Sequence, residues 1–206
     1  MKTVNTAASA LMLALLSLPA FAQGAGNNQC PVGLVSGTSL DNEFGPGTQE
    51  LTKCLQKRNQ VKMVVQINQF KTSAGGAYGL GNISNIIDDY EITHGMVRGR
   101  DYEIAVVLHG PGGMMALKDT SYNGAGAQVS GRNPFEGQVK ALLEKGVKFY
   151  FCQNTTRAYQ NNGTLPRYQQ IGISATDQLI QGVQYTTAGL TSIADFEAAG
   201  YAYIQP

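Results

Sequence analysis

The sequence predicts an α/β protein, a three-layer α/β/α sandwich around a five-stranded, mainly parallel sheet. Three observations carry this. From Val61 to the C-terminus, strand-type apolar runs alternate with segments of helical periodicity, the pattern of a parallel sheet covered by helices. Helical segments long enough to cross over separate the strands, which argues for helices on both faces of the sheet. Finally, the length suits one domain with a full core.

Residues 1–22 are set aside first. Lys2 is their only charge, Ala7–Ala20 is Leu-rich and apolar, and Ala20-Phe21-Ala22 is an A-x-A cleavage site. This is the pattern of a secretory signal peptide, cleaved after Ala22, and it predicts a periplasmic or secreted protein. Of 206 residues, 184 then remain, with 14 basic and 14 acidic side chains once Lys2 is gone. Zero formal charge argues against a general nucleic-acid binder, which needs a basic excess. No later stretch approaches the roughly 18 apolar residues of a membrane span, so none is expected after removal of the signal.

Residues 23–58 read as an N-terminal arm. It is Gly-, Asn- and Ser-rich up to residue 47, then a short helix with Leu51, Cys54 and Leu55 on one face. Residues 59–206 form the α/β domain. Val61–Ile67 is the first strand. The glycine-rich Gly75–Gly81 reads as a flexible connection or lid, and a helix follows from about Asn82, with Ile83, Ile86, Ile87 and Tyr90 inward, to His94-Gly95. Tyr102–His109 is the second strand. The loop from Gly110 to Arg132 holds a short helical turn near Met114–Leu117. Asn133-Pro134-Phe135-Glu136 reads as a helix start with Asn133 as N-cap, and Phe135, Val139, Leu142 and Leu143 form the stripe before Gly146. Val147–Cys152 is the third strand, Gln178–Tyr185 supplies a fourth, Gly189–Ala199 is a helix with Leu190, Ile193 and Phe196 inward, and Tyr201–Ile204 is the fifth strand.

Right-handed crossovers place all the strand C-termini on one edge, where such folds bind ligands. His109 and Cys152 fall on that edge. The chain has three cysteines, an odd number for an oxidising compartment. Cys30 and Cys54, both before the first strand, are the natural disulfide pair; the rival reading makes Cys54 a reduced core residue. With the disulfide, Cys152 is the unpaired thiol. Gln153-Asn154-Thr155-Thr156-Arg157 contains good N-cap types and begins a helix or turn, so its N–H groups and Arg157 would favour a thiolate. His109 would add positive charge or shuttle a proton, and Asn154 is a further site candidate by its position just after the thiol. The competing reading is that Cys152 is core packing, since cysteine is often buried.

Other motifs carry less. His109-Gly110-Pro111-Gly112-Gly113 is like a hydrolase oxyanion loop, but no G-x-S-x-G exists in the chain. Gly75–Gly81 fits neither nucleotide-loop pattern. Two histidines and three scattered cysteines have no metal-ligand spacing, so neither metal nor cofactor is expected. His94 reads as a dipole partner at a helix C-terminus.

The segments "VKMVVQIN", "YEIAVVLHGPGG", "LLEKGVKFYFCQNTTR" and "LTSIADFEAAGYAYIQP" resemble the DsrE/DsrF-like (DsrEFH-type) family of sulfur-oxidation and sulfur-relay proteins. The resemblance implies a five-stranded parallel sheet with the second and third strands adjacent, putting His109 and Cys152 about 5 Å apart if in register. It implies that Cys152 bears a persulfide, that the protein associates as a homo- or hetero-oligomer, here expected to be a homo-oligomer, and that it has a protein sulfur donor or acceptor; export adds small inorganic sulfur species as expected partners. The roles of His109, Asn154 and Arg157 rest on position and chemistry alone. The export signal and residues 23–58 depart from the family pattern. The expected function is an exported sulfur carrier or sulfurtransferase-like protein, the alternatives being a non-catalytic periplasmic binding or assembly module and a thiol redox sensor.

Overall fold

The computed structural model describes residues 58–124, 132–165 and 178–206. Strands β1 (Val61–Ile67), β4 (Tyr102–Leu108), β5 (Lys148–Cys152), β6 (Gln184–Thr186) and β7 (Ala202–Ile204) form one sheet in the order β6-β5-β4-β1-β7, every neighbouring pair parallel. The five-stranded sheet between helices is thus present, with β4 beside β5. The β1–β4 ladder runs in register from Val61↔Tyr102 to Ile67↔Leu108.

Alternation along the strands divides the core. Val65, Ile67, Ile104, Val106, Leu108, Phe149 and Phe151 face the larger cluster, with Leu80, Ile83 and Ile87 of α1 (Tyr78–Asp88) and Val139 and Leu142 of α3 (Glu136–Glu144). Val64, Ala105 and Val107 face the other way, onto Ile193 of α5 (Gly189–Ala198). The period-2 geometry of a strand makes this division obligatory.

Several expectations are corrected. Gly75–Gly81 is not a lid. Gly76–Ala77 (β3) pairs antiparallel with Thr72–Ser73 (β2), and α1 starts at Tyr78 rather than near Asn82. Gly79 sits inside the helix because a Cβ there would lie 2.9 Å from Ile67 Cδ1, so the glycine serves close helix–sheet packing. The helix ends in a π-type turn, Asp89–Thr93, a widening that the 3.6-residue pattern did not signal. The helical turn after β4 is longer than expected, a 3₁₀ segment over Gly110–Ala116, and a short polar helix α2 (Asp119–Gly124) follows.

Asn133 does not cap α3 directly, since the helix begins at Glu136. Its Oδ1 accepts from Phe135 N (2.9 Å), and its Nδ2 donates to Leu117 O (2.6 Å) and Met115 O (3.2 Å), stapling α3 to the 3₁₀ segment. The fourth strand is shorter than Gln178–Tyr185. Leu179 instead bridges Leu117 antiparallel, and Gly182 at φ +98° breaks the run before β6 begins. Leu190 is not inward; it is 68% exposed, one turn from the buried Ile193. Among the described residues, no helix is long and apolar enough to cross a membrane. The signal peptide, Cys30 and Cys54 lie outside the described residues.

Candidate functional site

The site assembles at the C-terminal edge of β4 and β5. Leu108 pairs with Phe151, and both point into the larger core. The next residue on each strand, His109 and Cys152, therefore turns to the opposite face, towards α5. Cys152 also pairs with Thr186 of β6, so it sits between two neighbours rather than at a free edge.

Cys152 is 5% exposed, and its Sγ accepts a hydrogen bond from Gly189 N, 3.1 Å away. Gly189 is the first residue of α5, where unpaired N–H groups and the helix dipole favour electron-rich partners. This corrects the sequence expectation. Cys152 precedes α4 (Gln153–Asn161) in the N-cap position, but its side chain makes no hydrogen bond to that helix. The donor comes from 37 residues further along the chain.

Gly189 also touches the histidine. A Cβ at this position would lie 3.1 Å from both Cβ and Cγ of His109, so the absent side chain is what lets α5 approach both residues. On its far side, His109 Nε2 lies 2.5 Å from Gln66 Nε2, whose Oε1 accepts from Tyr203 Oη. Gln66 itself is 5% exposed. Burial pushes the His109 pKa below its ordinary value, because desolvation penalises the imidazolium. In the neutral ring, an unprotonated Nε2 accepts from the Gln66 amide.

The turn after His109 is held by α4. Gly110, at φ +53°, donates its N–H to Thr155 Oγ1 (2.9 Å), and Tyr159 Oη donates to Gly110 O (2.6 Å). Gly112 passes so close to β1 that a Cβ would lie 2.4 Å from Ile67 O. Close backbone approach, as the glycine run suggested, explains this motif.

A cleft of about 770 Å³ opens at this edge, walled by the Gly110–Pro111 turn, α4 and the start of α5. Cys152, His109 and Asn154 all line it. Arg157 does not: it is exposed, and its Nη1 donates to Asn154 Oδ1 (3.0 Å). The structure therefore brings together three of the four predicted site residues and leaves Arg157 one helical turn outside. Gly189, Gln66 and Tyr203 were missed because nothing local marks them. His94 lies elsewhere, 4% exposed, with Nε2 3.3 Å from Asp89 Oδ2. Burial lowers its pKa against the opposing pull of Asp89, and it stands at the C-terminal end of the π-type turn.

No curated protein matches the chain. Among solved structures it is similar to a protein of unknown function, MTH1491, from Methanobacterium thermoautotrophicum, with 23% identity and a TM-score of 0.48 over 71% of this chain and 99% of that one. It is also similar to the ychN protein from E. coli, with 14% identity and a TM-score of 0.40 over the same shares. The family model of the DsrE/DsrF-like family matches residues 73–206, from β2 to the C-terminus. The chain therefore belongs to the DsrE/DsrF-like family, a family of sulfur-relay type.

Proposed function

We propose that the protein is an exported sulfur carrier that takes up sulfane sulfur as a persulfide on Cys152 and hands it to a partner protein. The observation that carries this reading is the placement of an unpaired thiol on the wall of a cleft, against the N-terminus of α5. The Gly189 N–H that meets the thiol sulfur would equally meet the inner sulfur of a persulfide. His109 stands beside it as a neutral imidazole, able to give or take a proton in the exchange. Export rests on the leader and its A-x-A site, and the homo-oligomer on the family resemblance.

Incubating the protein with polysulfide and measuring intact mass tests the carrier role. Cys152 gains sulfur, and the Cys152→Ser variant gains none. A wild-type protein that stays at its original mass while Cys152 remains alkylatable sinks the proposal. Export is checked by the N-terminus of the protein recovered from its host, expected at Gln23.

The near-complete burial of Cys152 favours one rival, a non-catalytic binding module in which the cysteine is packing. That reading expects Cys152→Ser to leave ligand or partner binding unchanged.

A further inference from the structure

The cleft around Cys152 has a chemical character that the persulfide alone does not explain. Its described lining contains no lysine, arginine, aspartate or glutamate. The polar groups are amides and hydroxyls, from Asn154, Asn162 and Thr191 among others, and the apolar wall is built from Pro111, Met114, Ala158 and Leu190. His109, the one histidine there, is held in a buried setting that disfavours its cation. The nearest guanidinium described on α4, that of Arg157, is tied to Asn154 outside the lining.

The donors that an anion would meet here are the N–H groups at the starts of α4 and α5, with no cationic side chain in the described lining. A doubly charged donor such as thiosulfate must shed its hydration and needs a cation or several convergent donors in return. Here it would also approach an electron-rich sulfur. Size points the same way. About 770 Å³ falls in the range of clefts that enclose whole small organic molecules, roughly 300–1,000 Å³. A five-atom anion would leave most of the space to water.

We propose that the cleft takes an organic persulfide, R–S–SH, whose carbon-bearing half lies along the Pro111–Met114–Leu190 wall while its outer sulfur meets Cys152. This rests on the carrier reading above and names its donor. In the step itself, the Cys152 thiolate attacks the outer sulfur of the neutral persulfide. The Sγ–S bond forms as the R–S–S bond breaks, the electron pair leaves on R–S⁻, and the hydrogen stays on the transferred sulfur. The leaving thiolate takes a proton from water. Sulfur moves between two thiols, so no external oxidant or reductant is consumed.

The experiment compares loading of the protein by benzyl persulfide, generated in solution, with loading by thiosulfate and by tetrasulfide. Intact mass follows the gain of sulfur at Cys152 over time. Benzyl persulfide is expected to load with a rate that saturates in donor concentration, and the two anions with rates that stay linear. Leu190→Lys places a cation on an exposed rim position and should lower the ratio of benzyl persulfide to thiosulfate loading by about tenfold, equivalent to roughly 1.4 kcal/mol. Saturation by either anion, or an unchanged ratio in Leu190→Lys, overturns the donor assignment and leaves the carrier reading standing. If no donor loads Cys152, the carrier reading falls, and binding alone decides the cleft's selectivity. Benzyl methyl sulfide, which is unreactive, should then protect Cys152 from iodoacetamide while sulfate does not; equal or absent protection by the two overturns the inference.

Discussion

Gly189 occupies a space that His109 has already filled. An alanine Cβ there would press on the imidazole at 3.1 Å and carry the N–H away from Cys152. The two energetic consequences oppose each other: overpacking costs about 1–3 kcal/mol, while alanine in a helix gains up to about 1 kcal/mol over glycine. Gly189→Ala is therefore expected to melt within a few degrees of wild type. Its Cys152, however, should alkylate or load sulfur about tenfold more slowly, the value of one lost interaction of roughly 1.4 kcal/mol. Equal rates would show that the α5 N–H does not matter to the thiol. Gln66 makes a different claim. Its amide joins Tyr203 Oη to His109 Nε2 on the sheet face, so Gln66→Leu removes the partner of a half-buried ring nitrogen and should destabilise the protein by about 1 kcal/mol in denaturant unfolding. A variant as stable as wild type would mean that water replaces the amide. Cys152 and His109 were legible as a pair because each ends an apolar strand run. Gln66, Tyr203 and Gly189 were not, because they reach the site across 37 to 137 residues of chain through side-chain and cap contacts that no local pattern records.

The 3₁₀ segment that follows β4 sets the height of one cleft wall. Gly112 packs its backbone on Ile67 O, and Gly113 packs on Phe151 Cε2, 2.5 Å from where a Cβ would stand. A methyl group meeting a carbonyl oxygen at 2.4 Å cannot be relieved by a side-chain rotation, so Gly112→Ala must displace the turn or the end of β1. It is expected to cost at least the usual 1–3 kcal/mol of overpacking, read as a lowered urea midpoint. An unchanged midpoint would show the turn to be free to move. Strand positions were readable at this scale because β4 and β5 are continuously apolar. The start of α1 was not, because Gly79 and Gly81 lower helix propensity and only the nearness of Ile67 justifies the first of them. Leu190 was misplaced for a related reason. Its spacing to Ile193 fits an inward face, but the helix begins at the cleft, and Leu190 lines that cleft.

Across the whole molecule, His94 and His109 share one electrostatic consequence. Burial lowers both pKa values below those of the unfolded chain, so the unfolded state binds more protons as pH falls through about 6.5. Stability is therefore lost from near that pH downward, until it levels off below the folded-state values. Asp101, held at about 2 by Arg100 and by Val97 N–H, acts only in more acid solution and leaves this window to the histidines. The melting temperature should fall between pH 7.5 and 5.5, and less steeply in His94→Gln. A flat or rising trend would contradict both burial assignments. The fold class was legible because strand and helix patterns alternate through residues 61–206, whereas the cleft's described, uncharged lining comes from three separate segments and exists only once they fold together. To carry sulfur, Cys152, though 5% exposed, must be reached through the cleft and not through unfolding. The direct measurement is the alkylation rate of Cys152 in the native protein as iodoacetamide concentration and urea are varied, mapped by peptide mass. Access through the cleft predicts a rate first order in reagent and insensitive to urea well below the unfolding midpoint; a rate that climbs with urea in step with the unfolded population would contradict it.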